Sequence, residues 1–273
     1  MIKLLILGPS GFTSKLITLM ALQDEEIEVI AACDISKIGE DLAQIVGGYD
    51  KNKIKIRDVK ELESVIKETK PDVSVDFTTA SATELNSLIC IRNGVRCVIG
   101  TTALSSSFLE TLKNELIKYK IPVVISSNMA TGMNVFIKVA SFLTKYLSDW
   151  DIEVIEAHHN RKQDSPSGTA LMIAKEISKT LGSDSDEILK YGRNKGFNKR
   201  KVGAKNEIGI HSIRAGDIIG DHTVLFAGVG ERIELKHQAH SRSCFAEGAI
   251  KAIKFIAKVS EPRIYDTNDV LGL

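Results

Sequence analysis

A regular alternation of short apolar runs with segments of helical spacing is the feature of this sequence that most constrains its fold. Ile2–Leu7 and residues 27–33 are apolar runs, and the residues between them repeat their apolar side chains at helical spacing. Similar runs recur at 73–77, 95–99 and 122–126. Strands that alternate with helices form parallel sheets covered on both faces. The first half is therefore predicted to be a doubly wound α/β domain.

The second half has a different pattern, which predicts a second domain. A strand at 152–157 leads into a charged loop and a helix, and the polar composition of 184–206 predicts a further loop. Apolar and charged residues then alternate along 232–236, as in a strand with one face in water. We expect an α+β domain with an open mixed or antiparallel sheet. The final helix, around Ile250 and Ile253, is expected to pack back onto the first domain.

Composition and charge argue against several classes of partner. Lys and Arg number 36 against 35 Asp and Glu, so a net charge of +1 offers no general attraction to nucleic acid or an anionic membrane. The first apolar run stops at Gly8, too early for a secretion signal, and no apolar run is long enough for a membrane span. The four cysteines lack paired spacing and are expected to be buried, reduced thiols. We expect a cytoplasmic protein.

The first predicted strand runs into a glycine-containing turn that opens a helix, as in Rossmann-like dinucleotide-binding folds. In such a turn backbone N–H groups approach a pyrophosphate, and the helix N-terminus favours its negative charge. Ser14 replaces the third glycine of the usual fingerprint, so a purely structural turn is the alternative. The predicted cofactor-binding residues of the turn are Gly8, Pro9, Ser10, Gly11, Phe12 and Thr13.

Asp34 ends the second predicted strand, about 20 residues beyond the turn, where a carboxylate binds the ribose of a dinucleotide. A carboxylate there favours the free 2′-hydroxyl of NAD, whereas the nearby Lys37 could reach the 2′-phosphate of NADP. The sequence therefore predicts NADH or NADPH as the cofactor without choosing between them.

Two further polar loops follow predicted strands at the same edge of the sheet. Open α/β sheets bind ligands at the carboxyl ends of their strands, so both loops are expected to face the cofactor. Plain polar loops are the alternative. The residues concerned are Gly100, Thr101 and Thr102 in one loop, and Ser126, Ser127, Asn128 and Met129 in the other.

Residues 156–169 contain the highest density of candidate catalytic and binding side chains. His158 and His159 are adjacent and Lys162 follows, which supplies groups that exchange protons and a positive charge. Ser167-Gly168-Thr169 opens a predicted helix whose first N–H groups suit a carboxylate. A solvated loop before a capped helix is the alternative, and a metal site is not predicted because no Cys or third His follows at ligand spacing. The other histidines are expected to be structural or on the surface: His211, His222, His237 and His240.

Taken together, these residues resemble the dihydrodipicolinate reductase family, also named 4-hydroxy-tetrahydrodipicolinate reductases. The stretch HHNRKQDSPSGT at 158–169 carries most of the likeness, and the resemblance covers essentially the whole chain. Further matching segments are the glycine turn, Asp76-Phe77-Thr78, Ile99-Gly100-Thr101-Thr102, Ser127-Asn128, and residues 132–135, 213–223, 230–232 and 269–271.

The resemblance implies both an architecture and an activity. It implies a dinucleotide-binding domain of residues 1–128 and 241–273, and a substrate-binding and oligomerisation domain of residues 129–240 whose sheet assembles a homotetramer. The implied reaction is NAD(P)H-dependent reduction of 4-hydroxy-tetrahydrodipicolinate, a small dicarboxylate, to tetrahydrodipicolinate in the diaminopimelate route to lysine. Domain closure is expected, with hinges near 128–132 and 238–243.

Residue roles also follow from the resemblance. His158 matches the acid/base residue of the family, Lys162 its proton donor and His159 a substrate contact. Ser167, Gly168 and Thr169 match the helix start that holds a substrate carboxylate. The cofactor contacts carry over to the glycine turn, Asp34 and the two polar loops described above.

The sequence departs from the family pattern near the cofactor. Pro9, Phe12 and Ser14 stand where members commonly carry small residues, an Arg-Met pair and a third glycine, and Met129 replaces a common Phe. Loss of the usual cation near the phosphates could weaken cofactor binding. Ser165 stands where Ala is usual, and none of these changes touches the proton-transfer residues.

Two other functions are compatible with a dinucleotide-binding domain. One is a different Rossmann-type amino-acid dehydrogenase, which lacks the combination of residues seen at 158–169. The other is a non-catalytic nucleotide-binding relative, against which the presence of both His158 and Lys162 argues.

Overall fold

The computed structural model describes residues 1–48, 53–200 and 207–273, which divide into two compact units. The first unit contains Met1–Thr131 and Ser243–Leu273, and the second contains Gly132–Arg242. The sequence placed the domain limits slightly earlier in the chain, at 128/129 and 240/241. The chain passes between the units within both segments proposed as hinges, and hinge motion itself stays a prediction.

The first unit is built on a sheet of seven parallel strands, which confirms the doubly wound fold predicted from the sequence. The strand order is β12-β6-β5-β4-β1-β2-β3. Its strands are β1 (Ile2–Leu7), β2 (Ile27–Asp34), β3 (Arg57–Asp58), β4 (Val73–Asp76), β5 (Arg96–Ile99), β6 (Val123–Ile125) and β12 (Ile264–Tyr265). Its helices are α1 (Phe12–Gln23), α2 (Leu42–Val46), α3 (Leu62–Thr69), α4 (Ala80–Arg92), α5 (Ser106–Tyr119), α9 (Ser243–Ile256) and α10 (Thr267–Leu271), with a 3-10 turn at Val59–Glu61.

Hydrophobic cores cover both faces of this sheet. Successive side chains of β1 point to opposite faces, so Leu4 and Ile6 enter one cluster while Leu5 and Leu7 enter the other. Ile253 of α9 is fully buried in the cluster that contains Leu4. The helix around Ile250 and Ile253, which was predicted to pack back onto the first domain, is α9, and this packing is confirmed. Strands buried on both faces explain why the sequence shows continuous apolar runs here.

The second unit is built on a mixed five-stranded sheet in the order β11-β10-β7-β9-β8, which confirms the predicted open mixed sheet. The central strand β7 pairs parallel with β9 and antiparallel with β10. The strands are β7 (Asp151–His158), β8 (Leu189–Tyr191), β9 (Ile208–Arg214), β10 (Asp221–Ala227) and β11 (Arg232–Gln238). The helices are α6 (Thr131–Tyr146), α7 (Gly168–Thr180) and α8 (Ser185–Ile188).

The structure contains several elements that the sequence did not predict, including those of two segments in the second unit. The loop predicted over 184–206 is wrong for its first part, which forms α8 and the edge strand β8; positions 201–206 lie outside the described residues. Three residues are too few for β8 to show an alternating pattern. Helix α6 was not predicted, although its buried Met133, Phe136 and Ala140 have helical spacing. Within the described ranges, no helix is both long and apolar enough to cross a membrane.

Candidate active site

The glycine turn in the first unit has the shape that a phosphate group needs. Gly8 has a φ of 67°, and a Cβ atom there would lie 2.3 Å from Cγ2 of Thr78, so both the backbone and the space require glycine. Gly11 is the N-cap of α1, and its helix start has no side-chain cap. An uncapped helix start next to a glycine attracts anions. Phe12 is largely exposed beside this turn.

Asp34 ties the glycine turn to the end of β2. Its carboxylate accepts the backbone N–H of Ser10 at 3.0 Å, that of Ile35 at 2.7 Å and that of Ser36 at 3.1 Å. Burial raises the pKa of Asp34, but these hydrogen bonds outweigh burial and the net pKa is lowered. The carboxylate therefore stays ionised at neutral pH. The nearby cation of Lys37 forms an ion pair with Glu40 at 3.2 Å.

The two polar loops lie at the carboxyl ends of β5 and β6, which are two and three strands from β1 and its turn. A Cβ at Gly100 would lie 2.0 Å from the ring of Phe77, so this close approach requires glycine. Thr101 is buried, and its hydroxyl lies 2.8 Å from that of Thr83. Ser126 donates to the carbonyl of Asn128 at 3.0 Å, which closes the second loop.

The predicted cofactor contacts in these two loops differ in how far their side chains are buried. Thr102 and Ser127 are exposed at the sheet edge. Met129 is 2% exposed and belongs to the hydrophobic core, so its side chain is placed differently from the others. The shape at Gly8, the uncapped start of α1 and the ionised Asp34 together fit a dinucleotide.

In the second unit, strand register gathers five polar side chains on one face of the sheet. His158 of β7 lies opposite Arg214 of β9, and Glu156 lies opposite both Ser212 of β9 and His222 of β10. Directly opposed residues share a face, and residues two positions apart on a strand do so as well. All five side chains therefore point to the same side.

Glu156 is the centre of this cluster. Its side chain is 0% exposed, and Arg214 donates to both of its oxygens at 2.8 Å. The backbone N–H of Ser167 donates to Oε1 at 3.1 Å, and Nδ1 of His158 lies 2.5 Å from Oε2. Burial raises the pKa of Glu156, but hydrogen bonds from Arg214, Ser212, His158 and Ser167 outweigh it and lower the pKa to about 2.

Two buried histidines lie side by side in this cluster. Burial lowers the pKa of His158; Glu156 partly opposes this shift, and the charges of Lys162 and Arg214 add to it. The ring of His222 meets that of His158 edge to face, with 5.3 Å between centroids. Burial lowers the pKa of His222 to about 4, so it is neutral near pH 7. His222 was expected to be structural or on the surface; it is buried, and its ring packs against that of the predicted acid/base residue.

The charged loop is anchored to the same cluster. Arg214 donates to the backbone carbonyl of Asp164 at 2.7 Å, and Nζ of Lys162 donates to the Asp164 carboxylate at 2.7 Å. The Lys162 hydrogen bond is the main cause that lowers the pKa of Asp164. The loop thereby holds Lys162 in the same cluster as His158.

The start of α7 is less open than the sequence suggested. Ser167 accepts the N–H of Ala170 at 3.1 Å and so caps the helix. A hydrogen bond from the Gly168 N–H also lowers the pKa of Asp164. The helix start therefore already binds a carboxylate, that of Asp164. His159 is half-buried, and its Nδ1 is buried with no hydrogen-bond partner among the described residues.

Sequence reasoning missed Glu156, Arg214 and His222 as parts of the site. Arg214 and Glu156 are 58 positions apart along the chain, so no local spacing connects them. The only available signal was their presence in segments that resemble the family. Strand register supplies the link, and it became visible only in the folded sheet.

Comparison with known proteins is consistent with this geometry. Residues 2–129 match the family described as dihydrodipicolinate reductase, N-terminus, and residues 132–271 match the family described as dihydrodipicolinate reductase, C-terminus. The chain belongs to the dihydrodipicolinate reductase family. Its reaction class is thereby confirmed as the NADH- or NADPH-dependent reduction step of lysine and diaminopimelate biosynthesis. The two other functions, a different amino-acid dehydrogenase and a non-catalytic nucleotide-binding relative, are not favoured.

Individual relatives cover all or nearly all of the chain. A 4-hydroxy-tetrahydrodipicolinate reductase of Methanococcoides burtonii is 46% identical over 98% of both chains. That of Methanocaldococcus jannaschii is 45% identical over 100% of this chain and 98% of its own. A dipicolinate-bound dihydrodipicolinate reductase from Paenisporosarcina sp. TG-14 has the same fold, with a TM-score of 0.79, 29% identity and 98% coverage of both chains.

Proposed function

We propose that this chain carries out the family reaction with His158 and Lys162 as its proton-exchanging residues. The observation that carries the proposal is the buried Arg214–Glu156–His158 cluster, which also anchors the loop of Lys162. A purely structural loop would not need a titratable ring held against a buried carboxylate. Proton transfer by one such group typically contributes about 10²–10⁴-fold in rate.

The cofactor would be held by the first unit. The glycine turn 8–13 and the start of α1 would bind the pyrophosphate, Asp34 the adenosine ribose, and the loops at 100–102 and 126–129 the nicotinamide half. When bound, the nicotinamide supplies the hydride. The ionised Asp34 favours a free 2′-hydroxyl, so we expect NADH to bind more tightly than NADPH.

The substrate would be held by the second unit. A dicarboxylate needs cationic or hydrogen-bonding partners for both carboxylates, and Lys162, His159 and the N–H groups at 168–169 supply them, since the N–H of Ser167 is already donated to Glu156. Because Asp164 contacts both Lys162 and the Gly168 N–H, a substrate carboxylate would replace it there. We propose that dipicolinate, which is bound in the Paenisporosarcina relative, also binds here.

The chain is further proposed to act in the cytoplasm as a homotetramer. The sheet face opposite Glu156 supports assembly, because Ile213 on that face is 47% exposed and Ile155 and Leu225 are only partly buried. Sedimentation of the purified protein at micromolar concentration should give a tetramer. A single monomer peak would contradict this part of the proposal.

A direct assay tests the activity. Freshly prepared 4-hydroxy-tetrahydrodipicolinate is mixed with the folded protein, and oxidation of NADH and of NADPH is followed optically in parallel. Oxidation that depends on the substrate is expected with both cofactors. Folded protein that oxidises neither would refute the proposed function.

A further inference from the structure

The carboxylate of Glu156 is buried at a cost that stability alone does not explain. Its side chain is 0% exposed, and an enclosed charge is costly even when it is well paired. Apolar side chains of similar volume often stabilise such a position as well or better. The chain instead surrounds Glu156 with Arg214, Ser167, Ser212 and His158. This arrangement points to a requirement of the chemistry.

The contact between Glu156 and His158 determines which ring nitrogen carries the proton. Hydrogen bonds hold the pKa of Glu156 at about 2 despite its burial, so near neutral pH the carboxylate can only accept. The proton in the 2.5 Å contact therefore belongs to Nδ1 of His158. Because burial lowers the pKa of His158, the neutral ring predominates and its Nε2 has a free lone pair.

The free nitrogen of His158 lies beside a residue without a side chain. A Cβ atom built on Gly220 would lie 3.2 Å from Nε2. A larger residue there would crowd this nitrogen. Nδ1 is thus held against the carboxylate, while Nε2 lies close to Gly220, which has no side chain to block it.

We infer that Glu156 is a positioning residue: held by Arg214, it keeps the proton of His158 on Nδ1 and leaves Nε2 to accept a proton during turnover. This inference rests on the proposed function and assigns each proton transfer of the reaction to a residue. His158 accepts at Nε2 the proton of the ring carbon next to the substrate hydroxyl and returns it to carbon when the ring is reduced, and the charge of Glu156 stabilises the intervening imidazolium. Lys162 protonates the departing hydroxyl, which leaves as water, and regains its proton from solvent. The groups that face His158 are Glu156 on β7, Arg214 on β9, Lys162 in the loop and His222 on β10.

The tautomer can be measured on the unmodified protein without substrate or cofactor. Nitrogen-15 NMR of labelled histidine should show Nδ1 of His158 protonated and Nε2 unprotonated near pH 7. A His158→Gln variant identifies the signal by its absence. Because nothing turns over, the result is independent of the proposed reaction. A protonated Nε2 in neutral His158 would overturn the inference.

A pair of variants tests the effect on turnover. Glu156→Gln should lower kcat about 10²-fold and leave the NADH dissociation constant unchanged. In the profile of kcat against pH, the inflection due to His158 should move to lower pH. The carboxylate of Glu156, which favours the protonated ring, is lost while the cations of Arg214 and Lys162 remain. Glu156→Asp, which retains the charge, should recover part of kcat.

The matched control is Glu153→Gln, which removes a carboxylate that also pairs with a histidine and an arginine on the opposite face of β7. Once its sedimentation matches that of the unmodified protein, its kcat and His158 signals should stay within about twofold of normal. Equal losses in both variants, or normal kcat and His158 signals in Glu156→Gln, would contradict the inference. If Glu156→Gln does not fold, Arg214→Lys is measured with the same readouts.

Discussion

Strand β7 carries a carboxylate–histidine–arginine cluster on each of its faces, and the two clusters differ in ways that their composition does not reveal. Glu153 lies 2.8 Å from Nε2 of His211 and 2.5 Å from Nη1 of Arg200, and its side chain is 19% exposed. Glu156 makes contacts of similar length but is 0% exposed. Glu153 therefore keeps some contact with water, whereas the fully enclosed Glu156 depends on its protein partners.

The two histidines are also held by different nitrogens. His211 uses Nε2 for its carboxylate, whereas His158 uses Nδ1 and keeps Nε2 available. Both faces contain the same residue types, so residue type alone does not identify a candidate site. The burial of the carboxylate and the orientation of the histidine ring distinguish the two clusters. This distinction between the two clusters predicts four measurable outcomes.

The largest effect is expected at Lys162, the lysine of the buried cluster. Lys162→Ala should lower kcat by about 10² or more, because it removes the proposed proton donor, and should leave NADH affinity nearly unchanged. Lys190→Ala, which changes an exposed lysine in β8, is the control and should have nearly normal turnover. An equal loss of NADH affinity in Lys162→Ala would place this lysine at the cofactor instead.

The next effect concerns stability. Arg214→Met leaves the buried Glu156 without its main partner and should cost about 3–5 kcal/mol of unfolding free energy. Arg200→Met on the other face should cost less, because the carboxylate of Glu153 that it leaves is 19% exposed and also pairs with Arg193. Urea unfolding of both variants measures the difference. Equal costs would show that burial does not separate the two clusters.

The stability of the protein in acid should depend on the buried carboxylate of Glu156. The pKa of Glu156 is lowered to about 2 from 4.5, so its stabilising contribution is complete above about pH 4.5 and is lost as the pH falls toward 2. Thermal unfolding between these pH values should therefore show a shallower decline in Glu156→Gln than in the unmodified chain. Parallel curves would mean that Glu156 is not specifically stabilised in its ionised form.

The smallest effect is expected at Asp164. Its carboxylate contacts Lys162 and the start of α7, which are the proposed partners of a substrate carboxylate. Asp164→Asn should therefore tighten dipicolinate binding by about threefold, since a neutral amide competes less well. Titration calorimetry measures the dissociation constant of dipicolinate. The control is Asp217→Asn, which changes another exposed acidic residue of the second unit. Weaker binding in Asp164→Asn would assign this residue a supporting role.

Much of the fold could be predicted from local patterns. The apolar runs that became β1, β2 and β4 were visible because strands buried on both faces are continuously apolar. Short elements such as β8 and α8 were not visible, since three or four residues cannot display a period. The candidate site was predictable only where its residues are close in sequence, as in 158–169.

The sequence by itself determined the doubly wound first unit, the mixed sheet of the second and the resemblance that identified the family. These features depend on periodicity and on local motifs, which a linear chain displays directly. Only the tertiary structure decided that Glu156 meets Arg214 and His222, because strand register joins residues far apart in the chain. Only burial then separated Glu156 from Glu153, since the cost of an enclosed charge depends on its surroundings and not on its residue type.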